Sequence, residues 1–275
     1  MSDIRSRQTD TAYLLKEQYN TADNLTARAR LHEQFSTNKV DWLIWLFEQF
    51  DFSPDAKIIE FGCGPAWLWA KNLAHLSPGW DITLTDFSPG MVAESQRNLA
   101  ASTQPFKFEV IDIQSIPYED ARFDAAVANH MLYHVPDLRK ALSELRRILK
   151  PNGKLYTATN GEHHLREIFE LLERFDPDIN YWEGFSASQS FQLDNGVHIL
   201  SEFFSYVELR RQENALEVTQ VEPLVAYMLS GRGRSEIVGD KLTALHEFLQ
   251  RELDQHGCIH ITKDAGLLIS SMEAM

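Results

Sequence analysis

Two glycines, two aspartates and a set of histidines carry the chemistry this sequence can do. In Lys57-Ile58-Ile59-Glu60-Phe61-Gly62-Cys63-Gly64-Pro65-Ala66 an apolar run breaks into a glycine turn and then a helix. Gly62 and Gly64 lack Cβ, so each can take positive φ and let a ligand lie on bare backbone, while the helix beyond offers unpaired N–H groups. That is a nucleotide-cofactor turn. A second apolar run, Asp81-Ile82-Thr83-Leu84-Thr85-Asp86, ends in an acid about twenty residues further on, where a ribose-binding carboxylate belongs in such folds. Asp86 has a competing use as a cap for a helix opening at Ser88. A third stretch, Asn129-His130-Met131-Leu132-Tyr133-His134-Val135, leaves the carboxyl end of another strand, where open α/β sheets bind ligands. His134, with a neutral imidazole available near pH 7, is a candidate general base or a structural histidine bonded to backbone.

The elements that must position these groups are short apolar strands alternating with amphipathic helices, the pattern of a parallel sheet covered on both faces. Strands are predicted at 57–61, 81–86, 106–112, 123–129 and 153–159. Ser88-Pro89 supplies an N-cap and a proline at the first helical position, and Pro136-Asp137 opens a helix through Leu149 that Pro151-Asn152-Gly153 ends. Upstream, 11–50 reads as helices, the second apolar almost all round through Trp42, Trp45 and Leu46 and so expected to be heavily covered. Downstream, 162–175 is predicted helical, 206–211 and 215–219 strand-like, and two helices precede 259–271, a strand or a hairpin about Asp264-Ala265-Gly266.

The 275 residues, 44% hydrophobic, suffice for one large core. The longest apolar runs fall short of the roughly 18 residues a membrane helix needs. The polar start, with Asp3, Arg5, Arg7 and Asp10, does not read as a secretory signal, so a soluble, cytoplasmic protein without membrane association is expected. Cys63 and Cys258 give no disulfide framework and no paired-thiol metal site; Cys63 reads as a small filler of the turn. A net charge of −14 disfavours nucleic-acid binding and leaves a small-molecule substrate as the default. Glu162-His163-His164 is read as a helix start rather than a metal site, because tandem histidines diverge on a helix, and no metal is expected.

Taken in order, these motifs resemble the class I S-adenosylmethionine-dependent methyltransferases over about residues 55–160. Glu60-Phe61-Gly62-Cys63-Gly64 is similar to the family's acid-x-Gly-x-Gly turn, Thr85-Asp86-Phe87-Ser88 to its ribose-binding strand end, and Ile111-Asp112-Ile113 to its adenine-binding element. Phe123-Asp124-Ala125-Ala126-Val127 through Leu132-Tyr133-His134-Val135 is similar to the fourth strand and active-site loop, and Leu145 to Leu155 to the helix, turn and fifth strand. The resemblance implies a Rossmann-like, doubly wound seven-stranded sheet with an antiparallel last strand, an N-terminal helical lid and C-terminal helical insertions. Its parts would be a lid over 1–52, a cofactor-binding core over 53–160 and, over 161–275, a region completing the sheet and the acceptor pocket. One departure is Ala66, where the family often has a third glycine; alanine is small enough for the helix to pack, so the change is expected to be harmless.

The same resemblance implies roles for single residues. Asp86 would accept the ribose hydroxyls and Asp112 the adenine amino group, with the Ile113 N–H facing a ring nitrogen; capping of its loop is the lesser alternative for Asp112. Phe87, Met91 and Ile113 would sandwich the adenine or belong to the core. Glu60 would bond inner-loop backbone or the cofactor's amino group, and Asn129 and His130 would contact its methionyl end. From the lid, Arg28, four residues before His32 on one helix face, would pair with the methionyl carboxylate and Tyr19 would face the acceptor; a solvated charged face is the alternative. Trp67 packs its helix or walls the pocket, and the aromatics Phe185, Phe191, Phe203, Phe204, Tyr206 and Tyr227 are core or acceptor lining.

The implied reaction moves the sulfonium methyl of S-adenosylmethionine to an oxygen, nitrogen or carbon of a small acceptor by in-line displacement, leaving S-adenosylhomocysteine, with His134 as an optional base. A nicotinamide-dependent oxidoreductase would share the glycine turn and Asp86, but not the Asp112 element or the strand-rich end. A non-catalytic protein of the same fold is a third reading. An apolar surface left by the tryptophan-rich helix would suit a homodimer.

Overall fold

Seven strands order themselves about the glycine turn. The computed structural model describes residues 23–178, 190–230 and 237–273; Tyr19, Phe185 and the predicted helix before 23 lie outside them. The elements are α1 (Asp23–Phe35), α2 (Trp42–Glu48), β1 (Lys57–Phe61), α3 (Trp67–Lys71), β2 (Asp81–Asp86), α4 (Pro89–Asn98), β3 (Phe106–Val110), β4 (Phe123–Asn129), α5 (Leu138–Ile148), β5 (Leu149–Asn160), α6 (Arg166–Phe175), α7 (Leu193–Ser201), β6 (Tyr206–Val218), α8 (Val221–Leu229), α9 (Asp240–His256) and β7 (Ile259–Ser271). They form one sheet in the order β3-β2-β1-β4-β5-β7-β6. β1 to β5 are mutually parallel and β7 runs against both its neighbours. The strand order reverses between β1 and β4, which puts the crevice for a ligand at their carboxyl ends.

The caps read from the sequence are in place. Ser88 Oγ accepts from the Met91 N–H with Pro89 at the first position of α4, and Asp137 Oδ1 accepts from the Lys140 N–H at the start of α5. The sheet buries Ile58, Ile59, Ile82, Leu84, Ala126, Val127 and Leu155 between two helical layers. Such fully covered strands read as continuous apolar runs, which made them visible.

Five expectations are corrected. The turn residues 150–153 do not separate α5 from its strand: β5 begins at Leu149 and its register with β4 jumps from Phe123↔Leu149 to Ala125↔Lys154, so these residues loop out of a continuous ladder. The segments 206–211 and 215–219 are one strand, held through 212–214 by pairing with β7. Asp264-Ala265-Gly266 makes no hairpin. Gly266 lies mid-strand, where an added Cβ would meet the Arg210 carbonyl at 2.5 Å and Leu193 Cδ1 at 3.2 Å, so its small size serves sheet packing. Finally, α2 is one short helix with only Leu46 buried, while Ile44 and the preceding Val40 stand exposed. The helix of 162–175 starts late, at Arg166, after Leu165 takes φ 58°.

α1 is built into a second core. Its Leu31 and Phe35 are buried with Leu224 and Met228 of α8, Leu245 and Leu249 of α9, and Leu216 and Ile261 of the β6–β7 pair. Among the described residues no helix is long and apolar enough to cross a membrane. Gly266→Ala is expected to lower unfolding stability by about 1–3 kcal/mol through overpacking between strands; equilibrium denaturation by urea reads this directly.

Candidate active site

The glycine turn takes the conformation its composition allows. Gly62 has φ 66° and Gly64 φ 52°. They do different work: a Cβ on Gly62 would strike Met131 Cβ at 2.8 Å, so this glycine lets the loop after β4 close over the turn, whereas a Cβ on Gly64 would meet nothing within 4 Å and its backbone faces open space. Ala66, fully buried, also holds a left-handed φ of 59°, a conformation that costs a non-glycine residue about 1–2 kcal/mol. The missing third glycine therefore leaves strain at the start of α3 rather than being neutral.

Around this turn lies a cavity of about 580 Å³. Glu60, Gly62, Cys63, Gly64, Asp86, Phe87, Met91, Asp112, Ile113, Asn129, His130 and His134 all line it, as do Arg28 and Trp67. Strand ends place the polar groups: β1 delivers Glu60, β2 Asp86 and β4 Asn129, with Asp112 just past β3. The N-terminal region adds Trp42, Leu43 and Leu46, which sequence reasoning did not assign to the site. Met91 and Ile113 are buried while Phe87 is 42% exposed, so core packing and cavity lining are combined in the first two. Phe191 and Phe204 sit in the core, and Tyr227 packs edge-on to His32, 5.9 Å between ring centres.

Each acid makes the capping bonds expected as one of its two uses, and each also lines the cavity. Asp86 Oδ1 accepts from the Ser88 N–H at 2.8 Å and Oδ2 from the Gly64 N–H at 3.0 Å, so one carboxylate ties β2 to the glycine turn while still lining the cavity. Burial pushes its pKa up against these N–H groups. Asp112 Oδ1 accepts from the Gln114 N–H at 2.8 Å and the Gln114 amide at 3.1 Å, which fixes its carboxylate at the rim. Arg28 donates from Nε to Ser230 Oγ at 3.1 Å and from Nη2 to the Ser230 carbonyl at 3.0 Å, and is thereby held at the cavity wall rather than on a solvated face.

Glu60 is the central acid. It is buried, and its two oxygens accept from Trp69 Nε1 at 2.6 Å and Asn129 Nδ2 at 3.1 Å. Asn129 Oδ1 is buried and bonds no protein atom, an acceptor left over at the same spot. Next to it His130 holds φ 52°, its N–H donating to the Ala158 carbonyl at 2.8 Å and its ring tilted on Trp42 at 5.6 Å. Burial, with Lys263 nearby, pulls the His130 pKa down to about 4, so its imidazole is neutral at pH 7. His134 closes a 3-10 turn, Leu132–His134, its N–H donating to the Met131 carbonyl at 2.9 Å and its ring 4.5 Å from that of Tyr133. Of the tandem histidines, His163 faces Glu162 on the surface and His164 turns inward against His32. Among the described residues no group of three or more His, Cys, Asp or Glu is arranged to hold a metal ion.

Burial raises the Glu60 pKa from 4.5 to about 7, and the two donors only partly offset it. Between these values the unfolded chain has lost the proton that the folded chain keeps, so Glu60's contribution to stability falls as pH rises from about 4.5 to about 7. Glu60→Gln, whose amide a rotated Asn129 can receive on its spare oxygen, is expected to flatten this part of the stability–pH profile, read as Tm against pH.

Comparison with known proteins agrees with this geometry. Residues 59–157 match the family described as a methyltransferase domain. The chain is 26% identical over 216 residues to the biotin biosynthesis bifunctional protein BioHC of Saccharophagus degradans, covering 78% of the chain and 37% of that protein. It is 31% identical over 124 residues to the malonyl-[acyl-carrier protein] O-methyltransferase of Enterobacter lignolyticus, covering 44% and 45%. The chain thus spans less than half the length of either relative. Haemonchus contortus phosphoethanolamine N-methyltransferase 2, solved with S-adenosyl-L-methionine, superposes with a TM-score of 0.58 at 15% identity, covering 96% of this chain and 60% of that one, a likeness of fold. With the strand order, the glycine turn and the acids at the ends of β1 and β2 in place, residues 59–157 belong to the class I S-adenosylmethionine-dependent methyltransferase domains.

Proposed function

We propose that the protein transfers the methyl group of S-adenosylmethionine to a small-molecule acceptor. The observation that supports this best is convergence: the glycine turn, Asp86, Asp112 and 129–134 open on one cavity at the carboxyl edge of the sheet. The residues fit the donor. Bare backbone at Gly64 admits a nucleoside, Asp86 and Asp112 retain lone pairs for ribose hydroxyls and the adenine amino group, and Phe87, Met91 and Ile113 offer apolar faces for the ring. The spare Asn129 oxygen beside Glu60 suits an ammonium, and Arg28 suits the methionyl carboxylate.

When bound, S-adenosylmethionine supplies a positively charged sulfonium whose methyl is open to in-line displacement. The chain's own part is to orient and to exclude water, which together can supply roughly 7–11 kcal/mol of the barrier. Trp42, Leu43 and Leu46 of α2 and Arg28 of α1 line the cavity from the N-terminal helices. In this reading the described N-terminal helices act as a lid, one anchored through Leu31 and Phe35. His134, at the cavity wall, takes the proton where the acceptor has one to lose. A largely apolar cavity of this size suits a metabolite better than a macromolecule.

Calorimetric titration with S-adenosylhomocysteine and with NAD tests the donor: the first is expected to bind and the second not. Asp86→Ala should weaken S-adenosylhomocysteine binding by at least about tenfold through loss of charged hydrogen bonds. With labelled donor and a metabolite extract, His134→Ala should reduce transfer by about 10²–10⁴-fold while donor binding persists; undiminished transfer would remove His134 from the mechanism.

A further inference from the structure

Behind His130, four basic side chains converge from distant parts of the chain. His32 comes from α1, His130 from the end of β4, His164 from the turn after β5 and Lys263 from the first half of β7, all at the carboxyl edge of the parallel strands. The His32 and His164 rings lie 22° from parallel with centres 6.2 Å apart, and Tyr227 of α8 closes the edge. The Nδ1 atoms of both rings are shut away from solvent and have no hydrogen-bond partner. Lys263 Nζ donates to Ser36 Oγ at 3.1 Å.

Among the described residues none of these four bases is in an ion pair. The charged groups that act on the three histidines are one another and Lys263. The acid that acts on Lys263 is Asp41, which is itself paired with Lys71 at 2.7 Å and caps α2. Burial first, and this mutual repulsion second, pull His32 down to about 3 and His164 well below the ordinary histidine value, where the Asp264 carbonyl opposes the shift only in part. Burial likewise brings Lys263 down to about 8. Two buried ring nitrogens without partners each carry a desolvation penalty. A protein with a net charge of −14 thus gathers four bases that, among the described residues, are paired with no acid.

We propose that this cluster recognises the methyl acceptor, and that the acceptor carries an anionic oxygen group, carboxylate or phosphate, which lies among His32, His164 and Lys263. The proposal rests on the methyltransferase reading, because His130 and Arg28 line the donor cavity and also flank the cluster, Arg28 through its field on Tyr227. An anion gives each ring nitrogen the partner it lacks and favours the protonated bases. Binding therefore takes up protons, and affinity falls as pH rises past about 8, where Lys263 loses its charge.

The test uses the full chain, loaded with S-adenosylhomocysteine and labelled with ¹⁵N-histidine, titrated at pH 7 with acetate, phosphate and, as a neutral control, acetamide. One of the two anions is expected to move the His32 and His164 ring signals, assigned with His32→Gln and His164→Gln, toward imidazolium, and the stronger of the two identifies the group. Acetamide should leave them in place. Lys263→Met should weaken the anion by about tenfold, and Lys263→Arg should retain it. The proposal is overturned if neither anion moves the rings, if acetamide moves them equally, or if Lys263→Met leaves affinity unchanged. Should S-adenosylhomocysteine fail to bind while anions still titrate the pair, the donor assignment falls and the anion site stands. Should it bind while anions do nothing, only the anion site falls.

Discussion

The site depends on a carboxylate kept out of water. Glu60 sits at the end of β1, where Trp69 of α3 and Asn129 of β4 both donate to it, so one acid joins the helix after the glycine turn to the strand that carries the active-site loop. Two hydrogen bonds do not fully replace hydration, and Glu60 retains its proton more firmly than an exposed glutamate. The same group is thus a structural clamp and a reserve of negative charge. A cationic ligand brought near it relieves a penalty that the fold has already incurred, and Asp86, also raised by burial, adds to that effect.

Seen from this clamp, the two sides of the sheet's carboxyl edge have opposite electrostatic character. Over β1 and β2 the buried groups are acids; past β4 and β5 they are bases, His32, His130, His164 and Lys263. Trp42 meets His130 near the boundary. A positively charged donor and a negatively charged acceptor would each be drawn to its own side and held with their reacting atoms between. Orientation would then come from field as well as from shape, within a cavity whose low polarity strengthens both interactions.

What could be read from the sequence was what local spacing encodes. The glycine turn, Asp86, the caps at Ser88 and Asp137 and the buried apolar strands announce themselves within a few residues, and all were legible. The third-glycine position was visible as Ala66, but its left-handed φ was not, because alanine carries no mark of the conformation it is forced into. β6 was seen as two pieces because Gln212-Glu213-Asn214 is polar, and only pairing along β7 keeps it one strand. Gly266 was taken as a turn signal when its smallness serves a neighbour across the sheet. The basic cluster was not legible at all: His32 was noticed for its spacing to Arg28, His164 as one of a tandem pair, and Lys263 not singled out.

The pairing of β7 has a consequence for how such a protein can change. β5 contacts only its second half, from Ala265 to Ser270, while β6 accompanies it along its whole length, so residues 259–264 extend beyond the sheet as a two-stranded ribbon. That ribbon, with α1, α6, α8 and α9, encloses a core separate from those flanking the glycine turn. The buried residues of that core pack apart from those beside the glycine turn, while Arg28 of α1 reaches the cavity from it. The sheet therefore serves two packing units, and a change at Leu224 or Leu249 is felt in the core around the ribbon rather than beside the glycine turn.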